Sequence, residues 1–223
     1  MLNQIVKLWL KYWYVFAEGL WGTLWMSAVS VFFAVLLGTF LAVMKLSRFR
    51  VLRWIVDVYL WIMRGTPILL QLYFFWIGLP KILPLELSDT TCVLSALIFN
   101  AGAYVCEVVR SGIQAVDPGQ AEAAKSLGMS GYNTMTRIIL PQAVKNILPA
   151  LGSEFISMIK QTSLASVFFV PELMTAQKSV QSATFLSIQS LIIAGVIYLA
   201  VTSILTAALR VYERRLRKSE CNA

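Results

Sequence analysis

Residues 122–141, which read EAAKSLGMSGYNTMTRIILP, lie between two apolar blocks and have the composition of a short soluble hairpin. Just before them, residues 117–119 (Asp-Pro-Gly) break the preceding helix and offer an N-cap. Residues 120–127 carry good helix formers, with alanine and leucine at helical spacing. Gly128 predicts a stop, because glycine readily adopts the left-handed conformation that ends a helix.

The second half of this stretch predicts another short helix. Residues 132–140 have apolar side chains at helical spacing, and Pro141 is expected to end or kink this helix because proline has no amide hydrogen. The predicted structure is a helix, a glycine turn and a helix. From the residues alone, this hairpin could be a solvated loop that connects two membrane spans.

The composition is that of an all-α membrane protein. Hydrophobic residues make up 58% of the chain and charged residues 13%, against about 45–50% and about 25% in soluble domains. The mean hydropathy is +0.73. The 223 residues allow about five spans of about 20 residues each. We therefore expect residues 1–223 to form one compact transmembrane domain.

Several function classes are disfavoured by what the sequence lacks. The chain has no histidine, and its three cysteines have no ligand spacing, so a metal site is not expected. It has neither a P-loop nor a hydrolase motif, so it is expected to be neither an enzyme nor a nucleotide-binding subunit. The net charge of +8 comes from clusters beside apolar segments, which favours contact with membrane lipid headgroups over nucleic acid.

The apolar pattern predicts five spans, with the hairpin of residues 117–141 between the third and the fourth. The spans are residues 20–44, 54–79, 90–109, 147–169 and 185–209. Residues 1–18 combine apolar and aromatic positions with Lys7 and Lys11, so they are predicted to lie at the membrane interface. As a straight helix with a rise of 1.5 Å per residue, the second span would be longer than the roughly 30 Å thickness of the bilayer core. We therefore expect a kink at Pro67.

The basic residues predict the orientation. Four lysines and arginines follow the first span, four follow the third and five lie in the C-terminal tail, against one in each of the two alternate loops. Since cytoplasmic loops carry the excess of positive charge, the hairpin is predicted to be cytoplasmic. Five spans then place the N-terminus outside and the C-terminus in the cytoplasm.

Two charged residues in the predicted fourth span indicate a possible site. Charges within a span cost roughly 2.5–3.5 kcal/mol each on insertion scales. Glu154 and Lys160 are six residues apart, so they cannot pair well on one helix. Either they pair with other spans or snorkel, or they line a polar cavity. In a cavity, an α-amino acid could offer its carboxylate to the lysine and its ammonium to the glutamate.

Other charged residues have more ordinary explanations. Glu107 and Arg110 are three residues apart on one helix face and predict an ion pair near the membrane surface. Arg64 is either a snorkelling residue or part of a gate where Gly65 and Pro67 break the second span.

Three segments together resemble the permeases of ABC transporters, in the branch that takes up polar amino acids. The hairpin resembles the EAA loop of these permeases, and residues 64–71 (RGTPILLQ) and 160–173 (KQTSLASVFFVPEL) resemble segments of that branch. The EAA-loop positions, to which the resemblance gives the role of coupling to the ATPase, are Glu122, Ala123, Ala124, Gly128, Ile138, Leu140 and Pro141.

The resemblance implies a permease subunit of an ATP-driven importer in the bacterial inner membrane. Its partners would be ABC ATPase subunits, which bind ATP and Mg, a second permease copy or a paralogue, and an extracytoplasmic amino-acid-binding protein. That binding protein is expected to dock on residues 1–18, 80–89 and 172–183. A permease for another small polar solute is an alternative, as is an ATPase-independent channel or a membrane scaffold.

The resemblance also implies an amino-acid site in a cavity that the second, third and fourth spans line. Some relatives that handle cationic side chains have an acidic residue where this chain has Gln161, so its neutral amide weakens the case for arginine or lysine as the substrate. The expected substrate-binding residues are Arg64, Thr66, Gln71, Glu154, Lys160, Gln161 and Thr162.

Overall fold

The computed structural model describes the backbone of residues 1–83 and 86–221 and the side chains of residues 1–83 and 86–215. All regular structure in these residues is helical, which confirms the predicted all-α class. Pro84 of the predicted outer loop, and Arg217 and Lys218 of the basic tail, lie outside the described side chains. The elements, in chain order, are α1 (Leu2–Leu46), α2 (Arg50–Gly65), α3 (Ile68–Ile82), α4 (Asp89–Gln114), α5 (Pro118–Ser126), α6 (Gly131–Asn133), a π-helical segment (Thr134–Ile139), α7 (Leu140–Gln161), a 3₁₀ segment (Thr162–Phe168), α8 (Leu173–Thr184) and α9 (Ser187–Cys221).

The core forms where α1 packs along α4. A row of small residues on α1 makes the close approach possible: Ala34 and Ala42 are fully buried. A Cβ added at Gly38 would lie 2.6 Å from the Cβ of Val105. Without side-chain bulk at that position, the backbone of α4 comes within direct contact of α1.

The separate interfacial segment predicted for residues 1–18 is wrong in one respect, because these residues are the first turns of α1. Gly19 does not end a helix here. It packs against α8, where an added Cβ would lie 2.6 Å from the Cβ of Ala176. Leu8 and Phe16 are buried against α8 and α9. The 45 residues of α1 would extend about 68 Å at 1.5 Å per residue, which is longer than the roughly 30 Å bilayer core. The length of α1 thus leaves room for residues 1–18 outside the core, and their interfacial position stays a prediction.

The second predicted span is broken where the sequence indicated. The direction of the chain changes by 109° between α2 and α3. Thr66 adopts an extended conformation (φ −118°, ψ 148°), because the ring of Pro67 disfavours the helical region for the residue before it. The bend is sharper than the kink expected from one proline.

The predicted fourth span and the loop after it are both different in the structure. Helix α7 begins at Leu140 and ends at Gln161, and the 3₁₀ segment continues the chain. Residues 172–183, expected as an outer loop, instead form most of α8. The carboxylate of Glu172 accepts hydrogen bonds from the amides of Met174 (2.8 Å) and Thr175 (2.6 Å), so it caps a helix that apolar periodicity alone did not reveal.

Among the described residues, α1, α4 and the part of α9 up to Arg215 are long and apolar enough to span a membrane. The bent pair of α2 and α3 would be a fourth span if it crosses as one unit. Helix α7 is not among these helices, because it carries too many polar residues. The count of five spans and the orientation of the termini stay predictions.

Candidate functional site

The first arm of the predicted hairpin is α5, which begins and ends where the sequence predicted. The carboxylate of Asp117 accepts a hydrogen bond from the amide of Gly119 at 2.9 Å and so caps α5. Gly128 has a φ of +77°. Its amide donates to the carbonyl of Lys125 at 2.9 Å, and the next amide, of Met129, donates to Ala124 at 3.0 Å. This pair of bonds is the Schellman pattern, which requires the left-handed conformation that glycine tolerates.

The second arm does not end at Pro141, so of the two predicted alternatives, an end or a kink, the end is wrong. The amide of Leu140 donates to the carbonyl of Met135, five residues earlier, so the turn before the proline is wider than an α-turn. Pro141 lies in the first turn of α7, and its missing amide falls where the bonding changes from five-residue to four-residue spacing. The arm therefore continues into the 22 residues of α7, as far as Gln161.

The tip of the hairpin exposes large apolar side chains that sequence reasoning missed. Leu127 is 84% exposed and Tyr132 is 77% exposed. Leu127 lies at helical spacing from Ala124, but of these two residues Ala124 alone is buried. Both exposed residues flank the glycine turn on an otherwise polar segment, and exposed apolar clusters of this kind mark surfaces that contact other proteins. Glu122 and Ala123 are exposed on the same arm.

The break between α2 and α3 is held by a hydrogen-bond network around Gln71. The amide nitrogen of Gln71 donates to the carbonyl of Met63 (2.9 Å) and to the hydroxyl of Thr66 (2.8 Å). Its amide oxygen accepts a bond from Asn100 on α4 at 2.9 Å. Thr66 and Gln71, both expected to bind substrate, therefore have bonds that fix the bend and attach it to α4.

Glu107 is the centre of an ion cluster that joins α1, α2 and α4. The predicted pair with Arg110 is confirmed at 2.7 Å. The structure adds Lys45 at 2.8 Å and Arg64 at 3.8 Å from the same carboxylate. Lys45 is also 3.3 Å from Asp57. Arg64, expected at the substrate site or as a gate, thus faces Glu107 at the end of α2.

The other expected substrate residues lie where α7 tightens into the 3₁₀ segment. Thr162 is fully buried, and its hydroxyl donates to the carbonyl of Ile159 at 2.8 Å. The side-chain nitrogen of Gln161 approaches the hydroxyl of Ser157 at 3.3 Å. Within the described residues, the buried side-chain oxygen of Gln161 has no hydrogen-bond partner. Buried polar atoms normally have partners, so the unpaired oxygen of Gln161 is an exception within the described residues.

Lys160 lines a cavity of about 470 Å³ between the 3₁₀ segment, α8 and α9. Glu154 is half-buried on α7 and does not line this cavity. The structure thus separates the expected residues into a group at the α2–α3 break and a group at the end of α7. The polar residues that line the cavity are Lys160, Ser163, Ser166, Lys178 and Tyr198.

The 3₁₀ segment connects these two groups. The ring of Phe168 lies 5.0 Å from the ring of Tyr73 and 5.4 Å from that of Trp76, both on α3. The segment thus packs against α3 on one side and lines the cavity on the other.

Comparison with known proteins gives matches over nearly the whole chain. The family described as binding-protein-dependent transport system inner membrane component matches residues 34–218. The arginine transport system permease protein ArtQ of Bacillus subtilis (strain 168) is 38% identical over 203 residues, which cover 91% of this chain and 93% of that protein. A putative glutamine transport system permease protein GlnP of Rickettsia bellii (strain RML369-C) is 36% identical and covers 89% of this chain and 91% of its own.

Solved structures show the same fold. A chain in a crystal structure of an amino acid ABC transporter with histidines superposes with a TM-score of 0.89 at 41% identity, covering 92% of this chain and 96% of that one. A chain of the MetNI methionine ABC transporter, in an inward-facing conformation, has a TM-score of 0.76 at 17% identity, with coverage of 91% and 96%. The second similarity concerns the fold alone.

Proposed function

This chain belongs to the family of binding-protein-dependent transport system inner membrane components, and we propose that it forms half of the translocation pathway of an ATP-driven importer for polar amino acids. It is a permease subunit of the bacterial membrane. Its relatives named above transport amino acids by their descriptions, which supports an amino acid as the substrate here.

The observation that carries the mechanism is the unbroken connection from the hairpin to Lys160. The second arm of the hairpin continues through the π segment into α7, and α7 ends beside the cavity. Helical backbone thus runs from the hairpin to the cavity, with Pro149 inside α7, and movement of the hairpin is transmitted along it to the cavity wall. This is rigid-body alternating access, with the hairpin as the part that an ATPase moves.

The proposal assigns ATP and Mg to separate ATPase subunits, because this sequence has no P-loop. The exposed Leu127 and Tyr132 at the hairpin tip give these subunits an apolar surface to cover, beside the EAA residues. The hairpin is then cytoplasmic. A second permease copy or a paralogue completes the pathway, and a binding protein delivers substrate on the opposite face.

The substrate is held at the end of α7 in this proposal. Lys160 contacts the substrate carboxylate, and Gln161 offers its unpaired buried oxygen to a substrate donor. Glu154 is a half-buried carboxylate on the same helix and accepts the α-ammonium of the amino acid on its path. Through the bonds described above, Thr162 holds the end of α7, while Thr66 and Gln71 hold the α2–α3 break, and Arg64 closes the end of α2.

The test is uptake into vesicles that contain the complete importer, with its ATPase subunits and its binding protein. We expect uptake of a radiolabelled polar amino acid that requires ATP inside the vesicles and competes with other polar amino acids. Equal uptake with and without ATP would favour the channel alternative. ATP-dependent uptake of a polar solute other than an amino acid would favour the other permease alternative.

A further inference from the structure

The cavity beside Lys160 contains a second lysine, Lys178, which was not among the expected substrate-binding residues. Lys178 lies on α8 and lines the same cavity of about 470 Å³. Its ammonium donates a hydrogen bond to the backbone carbonyl of Ser166 at 3.1 Å. That carbonyl belongs to the 3₁₀ segment, so Lys178 connects α8 to the segment that follows Lys160.

The cavity carries positive charge without a carboxylate to offset it. No acidic residue lines it, and among the described residues no carboxylate oxygen lies within 4 Å of the ammonium of Lys160 or Lys178. Glu172 lies behind the wall, where its carboxylate accepts bonds from the start of α8 and from the hydroxyl of Tyr198 at 3.0 Å. Glu172 is fully buried, and its carboxylate already accepts four hydrogen bonds.

We infer that Lys178 is a specificity-determining residue, which contacts the substrate side chain and makes the site prefer amino acids that end in an amide or a carboxylate over those that end in a cation. This inference rests on the proposed function, because Lys160 is taken as the contact for the α-carboxylate. The size of the cavity lies within the range of about 300–1,000 Å³ for small-molecule sites.

The chemistry of lysine gives the preference its direction. An ammonium group has three donors and no acceptor. The carbonyl of a glutamine or asparagine side chain, and both oxygens of glutamate or aspartate, can accept from it. An arginine or lysine side chain has only donors, so it cannot accept a bond from Lys178, and its positive charge is repelled by the ammonium groups of Lys178 and Lys160. The serine hydroxyls that line the cavity can donate a hydrogen bond to one kind of side chain and accept one from the other, so they do not alter the preference.

The binding protein has a specificity of its own, so the test must leave it out. The purified complex of this chain with its ATPase subunits, in detergent, is tested directly for binding of radiolabelled glutamine, glutamate and arginine. We expect glutamine and glutamate to bind at least about tenfold more tightly than arginine. In Lys178→Met the ratio of glutamate to arginine affinity should fall by about tenfold, the effect of one lost charge contact.

Two further variants separate the charge from the fold. Lys178→Arg keeps the charge and should keep the preference. Lys145→Met removes a lysine from α7 that does not line the cavity, and it should leave all affinities unchanged. If Lys178→Met does not assemble, Lys178→Gln takes its place. The affinity of the complex for its binding protein is measured on the same variants. If Lys178→Met changes this affinity but not the affinity for amino acids, Lys178 serves only to dock the binding protein.

The outcomes distinguish this inference from the proposed function. If the wild-type complex binds amino acids but binds arginine as well as glutamine, or if Lys178→Met changes the ratio by less than about twofold, the role of Lys178 is refuted and the importer proposal stands. If the complex binds no amino acid and the complete importer transports none, the proposed function itself is refuted.

Discussion

At the scale of single residues, two charged side chains, Glu107 on α4 and Lys160 on α7, have opposite surroundings. Glu107 lies within 4 Å of three basic groups. Lys160 faces a cavity, and no described carboxylate lies within that distance of it. Spacing along one helix predicted the pair with Arg110. It could not predict Lys45, which comes from another helix and is 62 residues away. It also could not predict that Lys160 has no partner.

Replacement of Lys160 by methionine should separate stability from function. No described carboxylate loses a partner, and the cost of placing a charge on α7 is removed, so the melting temperature in detergent should change little. Uptake should fall steeply because the contact for the substrate carboxylate is lost. The two measurements are made on the same preparation. Unimpaired uptake at substrate concentrations near half-saturation would rule out the anchor role.

Glu107→Gln should have the reverse effect on stability. The change removes the charge that three cations share, with a loss of about 1–3 kcal/mol in the free energy of unfolding for charge-assisted hydrogen bonds. Asp57→Asn is the matched control, because among the described residues Asp57 forms an ion pair only with Lys45, and its side chain is 59% exposed. That control should cost less than about 1 kcal/mol. Equal melting temperatures for the two variants would contradict a central role for Glu107.

At the scale of helices, the sequence predicted those boundaries that a local chemical rule controls. Asp117, Gly128 and Pro67 act as cap, stop and break as expected. The errors arose where packing or an unusual turn overrides the local rule. Gly19 continues α1 because its missing side chain accommodates α8, and Pro141 continues the second arm of the hairpin because a π-turn precedes it.

Gly22 should tolerate no side chain, because it packs against the chain that leads into α8. A Cβ there would lie 2.3 Å from the carbonyl oxygen of Pro171, which is backbone and cannot rotate away. Gly22→Ala should therefore destabilise the protein by about 1–3 kcal/mol, the usual range for overpacking. Gly195→Ala is the control, because a Cβ at this helical glycine meets nothing within 4 Å. It should be neutral or stabilising by about 0.5–1 kcal/mol. Similar melting temperatures for both variants would contradict the tight contact.

At the scale of the whole molecule, the sequence predicted the class and the family but not the arrangement of the site. The residues that line the Lys160 cavity come from the 3₁₀ segment, α8 and α9. Helix α8 was expected to be an outer loop, so Lys178 could not be placed beside Lys160 from the sequence. Many large apolar side chains on α9, including Leu199 and Ile204, are exposed in the single chain, which fits a surface that lipid or a second permease subunit covers.

The predicted orientation can be measured with single cysteines that react with an impermeant label. Cysteines at positions 47, 130 and 219 should react from the cytoplasm, and those at positions 88 and 179 should react from outside. Ser47 follows α1 and Ser130 lies in the hairpin turn, while Ser219 lies outside the described side chains. Before labelling, the native cysteines are replaced. The reversed pattern would overturn the positive-inside assignment.

The central claim is that the hairpin couples an ATPase to the helix that carries Lys160. Its most direct test is substrate-stimulated ATP hydrolysis by the complete importer in vesicles, measured for Glu122→Lys and Gly128→Val. Valine at a φ of +77° adds about 1–2 kcal/mol of local strain, and both changes alter the hairpin alone. Gly131→Ala is the control, because Gly131 lies in the same hairpin, has no positive φ and leaves open space around an added Cβ. We predict that both variants insert and bind substrate but lose stimulated hydrolysis and uptake, while the control keeps both. Normal stimulated hydrolysis in Glu122→Lys and Gly128→Val would contradict the claim.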